Sequence, residues 1–272
     1  SKNPQLNDWK RVVKAKLLPE KEVNVAFVGK YTELKDSYKS INEALEHAGI
    51  KNKTKVNINF VEAENLTTRN VNKTLKKADA VLVPGGFGER GVEGMILACK
   101  FSRENNIPYL GICLGMQVAI IEYARNVLKL NGANSTEFDQ QTKHPVIGLI
   151  TEWSDISGKK EIRSKNSDLG GTMRLGGQLC MLKKKSKSYK MYKKEKIVER
   201  HRHRYEVNPK YKSEMINNGL DVVGMSIDGK LVEMIEIPNH KWFLACQFHP
   251  EFTSNPRDGH PIFNSYIKST IT

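Results

Sequence analysis

IPYLGICLGMQVAIIEYARNVL, residues 107–128, reads as a buried strand that turns directly into a helix. Apolar and aromatic residues run continuously to Ile112, and then Ile120, Ala124, Val127 and Leu128 recur on one helical face. Cys113 stands at the corner, with Gly111 and Gly115 two residues before and after it. A strand that becomes a helix within one residue crowds its own backbone, and glycine relieves that crowding. This is the pattern of a nucleophile elbow, with Cys in the place of Ser. The corner lifts the thiol out of the sheet and sets it at a helix N-terminus, where the dipole favours an anionic sulfur. The plainer reading, a small core thiol, leaves the paired glycines unexplained.

Working outward, strand and helix signals alternate. VNVAFVG (23–29) is a buried strand. SYKSINEALEHAG (37–49) is a helix with Ser37 as N-cap and Gly49 just past its end. VNINFV (56–61) alternates with period two, 67–78 reads as helix, AVLV (80–83) as strand and 91–105 as helix. SIDGKLVEMIEI (226–237) is a hairpin turning at Asp228-Gly229. WFLACQF (242–248) is a buried strand and GHPIFNSYIKSTI (259–271) a closing helix. Repeated strand–helix units predict an α/β fold: a three-layer α/β/α sandwich around a mostly parallel sheet with antiparallel edge strands. Residues 1–22 are polar and basic and read as an interdomain linker; 23–272 reads as one domain.

The 272 residues carry a formal charge of +14, but the excess is uneven. KKKSKSYKMYKKEK (183–196) holds eight Lys against one Glu, half of the total. With no evident helix or strand period it reads as a solvated, dispensable surface insertion. The remainder makes a nucleic-acid partner a weak expectation. No apolar run approaches the ~20 residues of a membrane helix. Cysteines 99, 113, 180 and 246 are scattered, which suits free thiols in a reducing compartment, the cytoplasm.

A thiol nucleophile needs a base, and the base an orienting partner. His249, in QFHPEF, directly follows a buried strand and precedes Glu251 by two residues, so that Glu251 can hold its tautomer. VLVPGGFGERG (81–91) offers bare backbone N–H groups for an oxyanion. Gly86, Gly88 and Gly91 also match a dinucleotide fingerprint, but no acidic strand end follows at the spacing a ribose partner requires. In RHRHRYE (200–206) strand spacing puts Arg200, Arg202 and Arg204 on one face and His201 and His203 on the other. The two histidines make a weak metal pair, since no Cys or acidic pair stands nearby; an arginine fork gripping a carboxylate fits better.

GICLGMQ, PGGFGERG and FHPEF, in this order, resemble the class I, triad-type glutamine amidotransferases. VAFVGKYTELKDSYKSINEALEHAG, GANSTEF, LGGTMRLG and ERHRHRYEVNP are similar, more narrowly, to the amidotransferase domain of the CTP synthase family. The resemblance implies a Cys113–His249–Glu251 triad and an oxyanion hole at the N–H groups of Gly86 and Leu114. It implies glutamine contacts at Gln117 and Glu137, and an α-carboxylate grip at Arg204. It makes LGGTMRLG (169–176) a lid, with GTP as allosteric activator and no metal or other cofactor in this domain. UTP, and ATP with Mg²⁺, would belong to an N-terminal synthetase domain, and a homo-tetramer to the full-length chain. No G-x-x-x-x-G-K-[ST] loop occurs in the sequence. Two other classes fit less well: a γ-glutamyl peptidase on the same scaffold, and a non-catalytic binding module.

Overall fold

Strand β1 (Lys21–Gly29) lies one place in from the edge of the sheet that organises the computed structural model, which describes residues 6–149, 152–154, 160–162 and 173–272. Before it, the stretch read as linker contains helix α1 (Asn7–Leu17), with Val12 buried. After it come α2 (Lys39–Asn52), β2 (Thr54–Glu62), α3 (Val71–Leu75), β3 (Ala80–Val83) and α4 (Val92–Glu104). Then follow β4 (Tyr109–Ile112), α5 (Leu114–Asn126), β5 (Asn134–Ser135), β6 (Pro145–Leu149), β7 (Glu152–Ser154) and β8 (Lys160–Ile162). The chain continues through β9 (Arg174–Leu182), α6 (Lys187–Tyr192), β10 (Lys196–His203) and β11 (Tyr205–Val207). It closes with α7 (Lys212–Asn217), β12 (Asp221–Ser226), β13 (Val232–Glu236), β14 (Phe243–Cys246) and α8 (Pro261–Ile271).

Among the described residues the main sheet runs β10-β9-β12-β13-β14-β4-β3-β1-β2. The strands from β14 to β2 are parallel, and those from β13 to β10 antiparallel. The antiparallel part is therefore a block of four strands on one side of the sheet. Alternation along each parallel strand feeds two cores. Ala26, Val28, Val81, Val83 and Tyr109 face the layer holding α4 and α5. Val25, Phe27, Leu82, Leu110 and Ile112 face the layer holding α2 and α8. This is the α/β/α arrangement expected from the alternating strand and helix signals.

Several details depart from the sequence reading. Every residue of α5 from Leu114 to Ala124 is buried, not one face only, because the helix lies between the sheet and other structure; a helix apolar all round is a core helix. Gly49 does not end α2. The helix runs on to Asn52 and is closed by Lys53 at φ 52°. A Cβ at Gly49 would lie 2.5 Å from the Thr54 carbonyl oxygen, so this glycine serves close packing against β2. Ser37 is not the cap either; Tyr38 precedes the first helical residue. The helix expected over 67–78 is confined to Val71–Leu75.

The Lys-rich stretch is a clearer correction. It contains α6, whose N-cap Ser186 accepts the Tyr189 N–H. The Glu236 carboxylate accepts from the N–H groups of Lys187 and Ser188 and from the Ser188 hydroxyl. Tyr192 donates to Glu199 at 2.8 Å. Lysine composition pointed to solvent, but the Ser188 and Tyr192 side chains and the backbone N–H groups of Lys187 and Ser188 anchor the segment to the antiparallel block.

Candidate active site

The site forms where the C-terminal ends of β3, β4 and β14 converge, the edge at which open parallel sheets place ligands. Register fixes this: Val83 pairs with Gly111, and Cys246 pairs with Ile112. Cys113 follows β4 at φ 51°, a left-handed conformation for a non-glycine residue at a functional corner. Its N–H donates to the Cys246 carbonyl at 2.7 Å, which ties the corner to β14. A Cβ on Gly115 would lie 2.2 Å from the Val83 carbonyl oxygen, and one on Gly111 would lie 2.6 Å from the Gly115 oxygen. Both elbow glycines are thus required by packing. Behind the corner, the Tyr109 hydroxyl donates to the Gly115 carbonyl at 2.9 Å.

His249 arrives from β14, and its backbone N–H donates to the Arg200 carbonyl. Its Nδ1 is hydrogen-bonded to Glu251 Oε1 at 2.8 Å. Its buried Nε2 has no hydrogen-bond partner among the described residues. That nitrogen is left to exchange a proton with the thiol. Burial alone would lower the imidazole's pKa, but the Cys113 thiolate and then Glu251 outweigh it and raise it to about 10. His249 is thereby set to hold and later deliver a proton.

A cavity of about 200 Å³ opens over these groups, lined by Gly85, Gly86, Phe87, Cys113, His249 and Glu251 among others. It is smaller than the ~300–1,000 Å³ of pockets for drug-sized ligands, so it suits an amino-acid side chain better than a nucleotide. Gly86 is thereby brought beside the nucleophile, as expected, with Leu114 as the first residue of α5. Gly85 is an unexpected member. A Cβ there would come within 2.7 Å of His249 Cε1, so the bare backbone makes room for the imidazole. The repeated glycine of PGGFG was the available signal.

Gln117, Glu137 and Arg204 are not among the residues lining this cavity. Gln117 donates to the Tyr205 carbonyl at 3.1 Å and lies 3.4 Å from Gln247 Oε1. Gln247 in turn approaches the Cys113 sulfur at 3.6 Å. Burial raises the pKa of the Tyr205 phenol, as does Glu137, while Arg204 opposes them. Arg204 keeps a buried Nε without a hydrogen-bond partner among the described residues. Glu137 Oε1 accepts the Gly88 N–H at 2.8 Å. Gln247, a polar residue in an apolar strand, was legible as an anomaly but was not singled out.

His201 and His203 face each other at 2.8 Å on the buried side of β10, with Arg200 and Arg202 outward. The expectation that no acidic pair stands nearby is wrong: Glu233 and Glu206 lie 3.7 and 3.4 Å from them. Arg174 fills the centre instead, 2.6 Å from Glu233 and 3.2 Å from Glu206. A guanidinium occupies the place a cation would take. Residues 169–172 of the lid stretch lie outside the described residues; the remainder is Met173 and the first three residues of β9.

The model of class I glutamine amidotransferases matches residues 33–269. The chain belongs to that family. The amidotransferase is 38% identical to the glutaminase domain of Trypanosoma brucei CTP synthase, solved with bound acivicin. The match covers 92% of this chain and 94% of that one, with a TM-score of 0.82. A glutamine amidotransferase from Thermotoga maritima is 12% identical over 92% of this chain and 96% of its own, with a TM-score of 0.48. One from Methylobacillus flagellatus is 7% identical over 84% and 70%, with a TM-score of 0.47. Among the described residues, no helix of the amidotransferase is long and apolar enough to cross a membrane.

Proposed function

We propose that this chain is the glutaminase part of a CTP synthase, releasing ammonia from glutamine for amination of UTP. The observation that carries the reading is the strained Cys113 corner facing a His249–Glu251 pair across a small cavity. Acivicin, a glutamine analogue, occupies the relative at 38% identity, which supports glutamine as the substrate here. Arg204, with its unpartnered buried Nε, takes the α-carboxylate; Glu137 takes the α-ammonium. The Cys113 thiolate attacks the side-chain amide carbonyl. The N–H groups of Gly86 and Leu114 receive the oxyanion, each such donor being worth ~3 kcal/mol of barrier. Imidazolium His249 protonates the departing ammonia, leaving a γ-glutamyl thioester. As the neutral base it then activates the water that releases glutamate.

At the cavity, exposed aromatic rings carry arginines, Arg200 over Phe252 at 5.7 Å and Arg202 over Phe87 at 5.9 Å, and outside its lining Arg90 lies over Tyr31 at 4.3 Å. Stacking faces beside cations fit a purine nucleotide, which supports GTP as activator, and they offer a rim for a synthetase domain that binds UTP and ATP with Mg²⁺. A cytoplasmic, tetrameric full-length enzyme belongs to the same proposal. Mass spectrometry after exposure to an electrophilic glutamine analogue tests it. One adduct is expected, on Cys113, prevented by excess glutamine; labelling elsewhere or without glutamine protection would refute the reading.

A further inference from the structure

The glycine loop that supplies the oxyanion donor has almost no side chains with which to hold itself. Gly88 sits at φ 74°, and a Cβ there would meet nothing within 4 Å. What holds the loop is charge. Lys30, the residue after β1, is 4% exposed. Its ammonium donates to the Phe87 carbonyl at 2.9 Å and to the Gly88 carbonyl. On the other side, Glu137 accepts the Gly88 N–H at 2.8 Å. The Phe87 carbonyl and the Gly88 N–H belong to one peptide unit. A cation therefore sits on its oxygen and an anion on its hydrogen, aligned with the peptide dipole of ~3.5 D.

We propose that Lys30 is a positioning residue for the oxyanion loop, clamping the Phe87–Gly88 peptide with Glu137 and so fixing the backbone that carries the Gly86 N–H. The proposal rests on the glutaminase reading above. Burying an ammonium against neutral carbonyls is unfavourable, and burial does lower the Lys30 pKa, with Glu137 opposing. The base of the clamp is itself fixed, because the Tyr38 hydroxyl donates to the Lys30 carbonyl. Preorganisation is the return on this arrangement. An oxyanion donor is worth about 10²–10³ in kcat, and a shift of about 1 Å can forfeit ~10².

Two reactions of the same sulfur separate positioning from general damage. Glutamine hydrolysis develops an oxyanion; displacement of iodide from iodoacetamide by Cys113 does not. In the full 272-residue chain, Lys30→Met should lower kcat for glutamine ~100-fold with KM changed less than about threefold. The rate of Cys113 alkylation, followed by mass spectrometry, should stay within about twofold. Lys30→Gln keeps one neutral donor, and an amide is far easier to bury than an ammonium, so it should lose ~10-fold in kcat. Wild-type-like hydrolysis in the Met variant, or in the Gln variant if the first does not fold, overturns the clamp. Parallel loss of hydrolysis and alkylation also overturns it, by making Lys30 a structural residue only. No hydrolysis by the unaltered chain would instead overturn the glutaminase reading, and the clamp with it.

Discussion

Two of the buried settings that place histidine against glutamate do opposite things to the ring. At the ends of the parallel strands, His249 is surrounded by anions, Cys113 and Glu251, and its pKa rises to about 10 despite burial. Within the antiparallel block, burial lowers the pKa of His201, and Arg174 and His203 lower it further. Glu233 and Glu206 stand beside the second pair as Glu251 stands beside the first. The difference is the third member. The Cys113 sulfur favours a proton on the first ring, whereas a guanidinium turns the second setting into an ion-paired cluster that keeps His201 uncharged. Burial raises the pKa of both Glu206 and Glu233, with Arg174 opposing. Residue type and burial alone would not have told the two apart.

The comparison breaks most visibly if its third members are removed. Cys113→Ala should cut ammonia release by on the order of 10⁴-fold or more in a folded protein, and imidazole NMR should show His249 titrating well below about 10. Retained hydrolysis, or an unmoved His249, would show that the thiolate is not what charges the ring. In the intact site the folded pKa of His249 lies above its usual 6.5. Its contribution to stability is therefore complete below about pH 6.5 and is lost as pH rises through about 10. For His201, lowered by burial, the contribution is present above 6.5 and lost as pH falls.

Arg174→Met tests the other third member. It strands two carboxylates in the interior and should cost about 3–5 kcal/mol, lowering Tm by ~10 °C in a thermal melt. An unchanged Tm would mean that the glutamates are already satisfied without the guanidinium. Next in size is the contrast between Arg200 in β10 and Arg204 just after it. Arg204→Ala should lower kcat/KM for glutamine ~100-fold, whereas Arg200→Ala, exposed over Phe252, should stay within about threefold. Similar losses in both would break the assignment of the carboxylate grip. The smallest effect sharpens what a buried carboxylate needs. Glu236 accepts hydrogen bonds from two backbone N–H groups and a hydroxyl, so Ser188→Ala should cost only ~1–2 kcal/mol in urea unfolding. A loss as large as that of Arg174→Met would erase the distinction.

The corner at Cys113 was legible because its constraint is local: both glycines are dictated by atoms within a few residues or on the adjacent strand. The triad was legible because strand ends report which edge of a parallel sheet a residue occupies. Gly49 was misread since a glycine near a helix end has two uses, and only the approach of Thr54 decides between them. The Lys-rich stretch misled for a related reason: its composition is set by exposed positions, while Ser188 and Tyr192 do the anchoring. The buried Arg174 cluster was invisible because its members come from β9, β10, β11 and β13, and no spacing within one segment marks it.

The strand that completes the site is also the last of the sheet to be made. β14 enters between β4 and β13, so the edge of β4 stays uncovered until late in synthesis. Gln247, which approaches the Cys113 sulfur, follows it by 134 residues, with His249 two further on. On the ribosome the nucleophile thus exists for many seconds as an ordinary thiol, at ~5–20 residues per second. A partly made chain has no assembled nucleophile–base pair, and the site forms only when the middle of the sheet is filled.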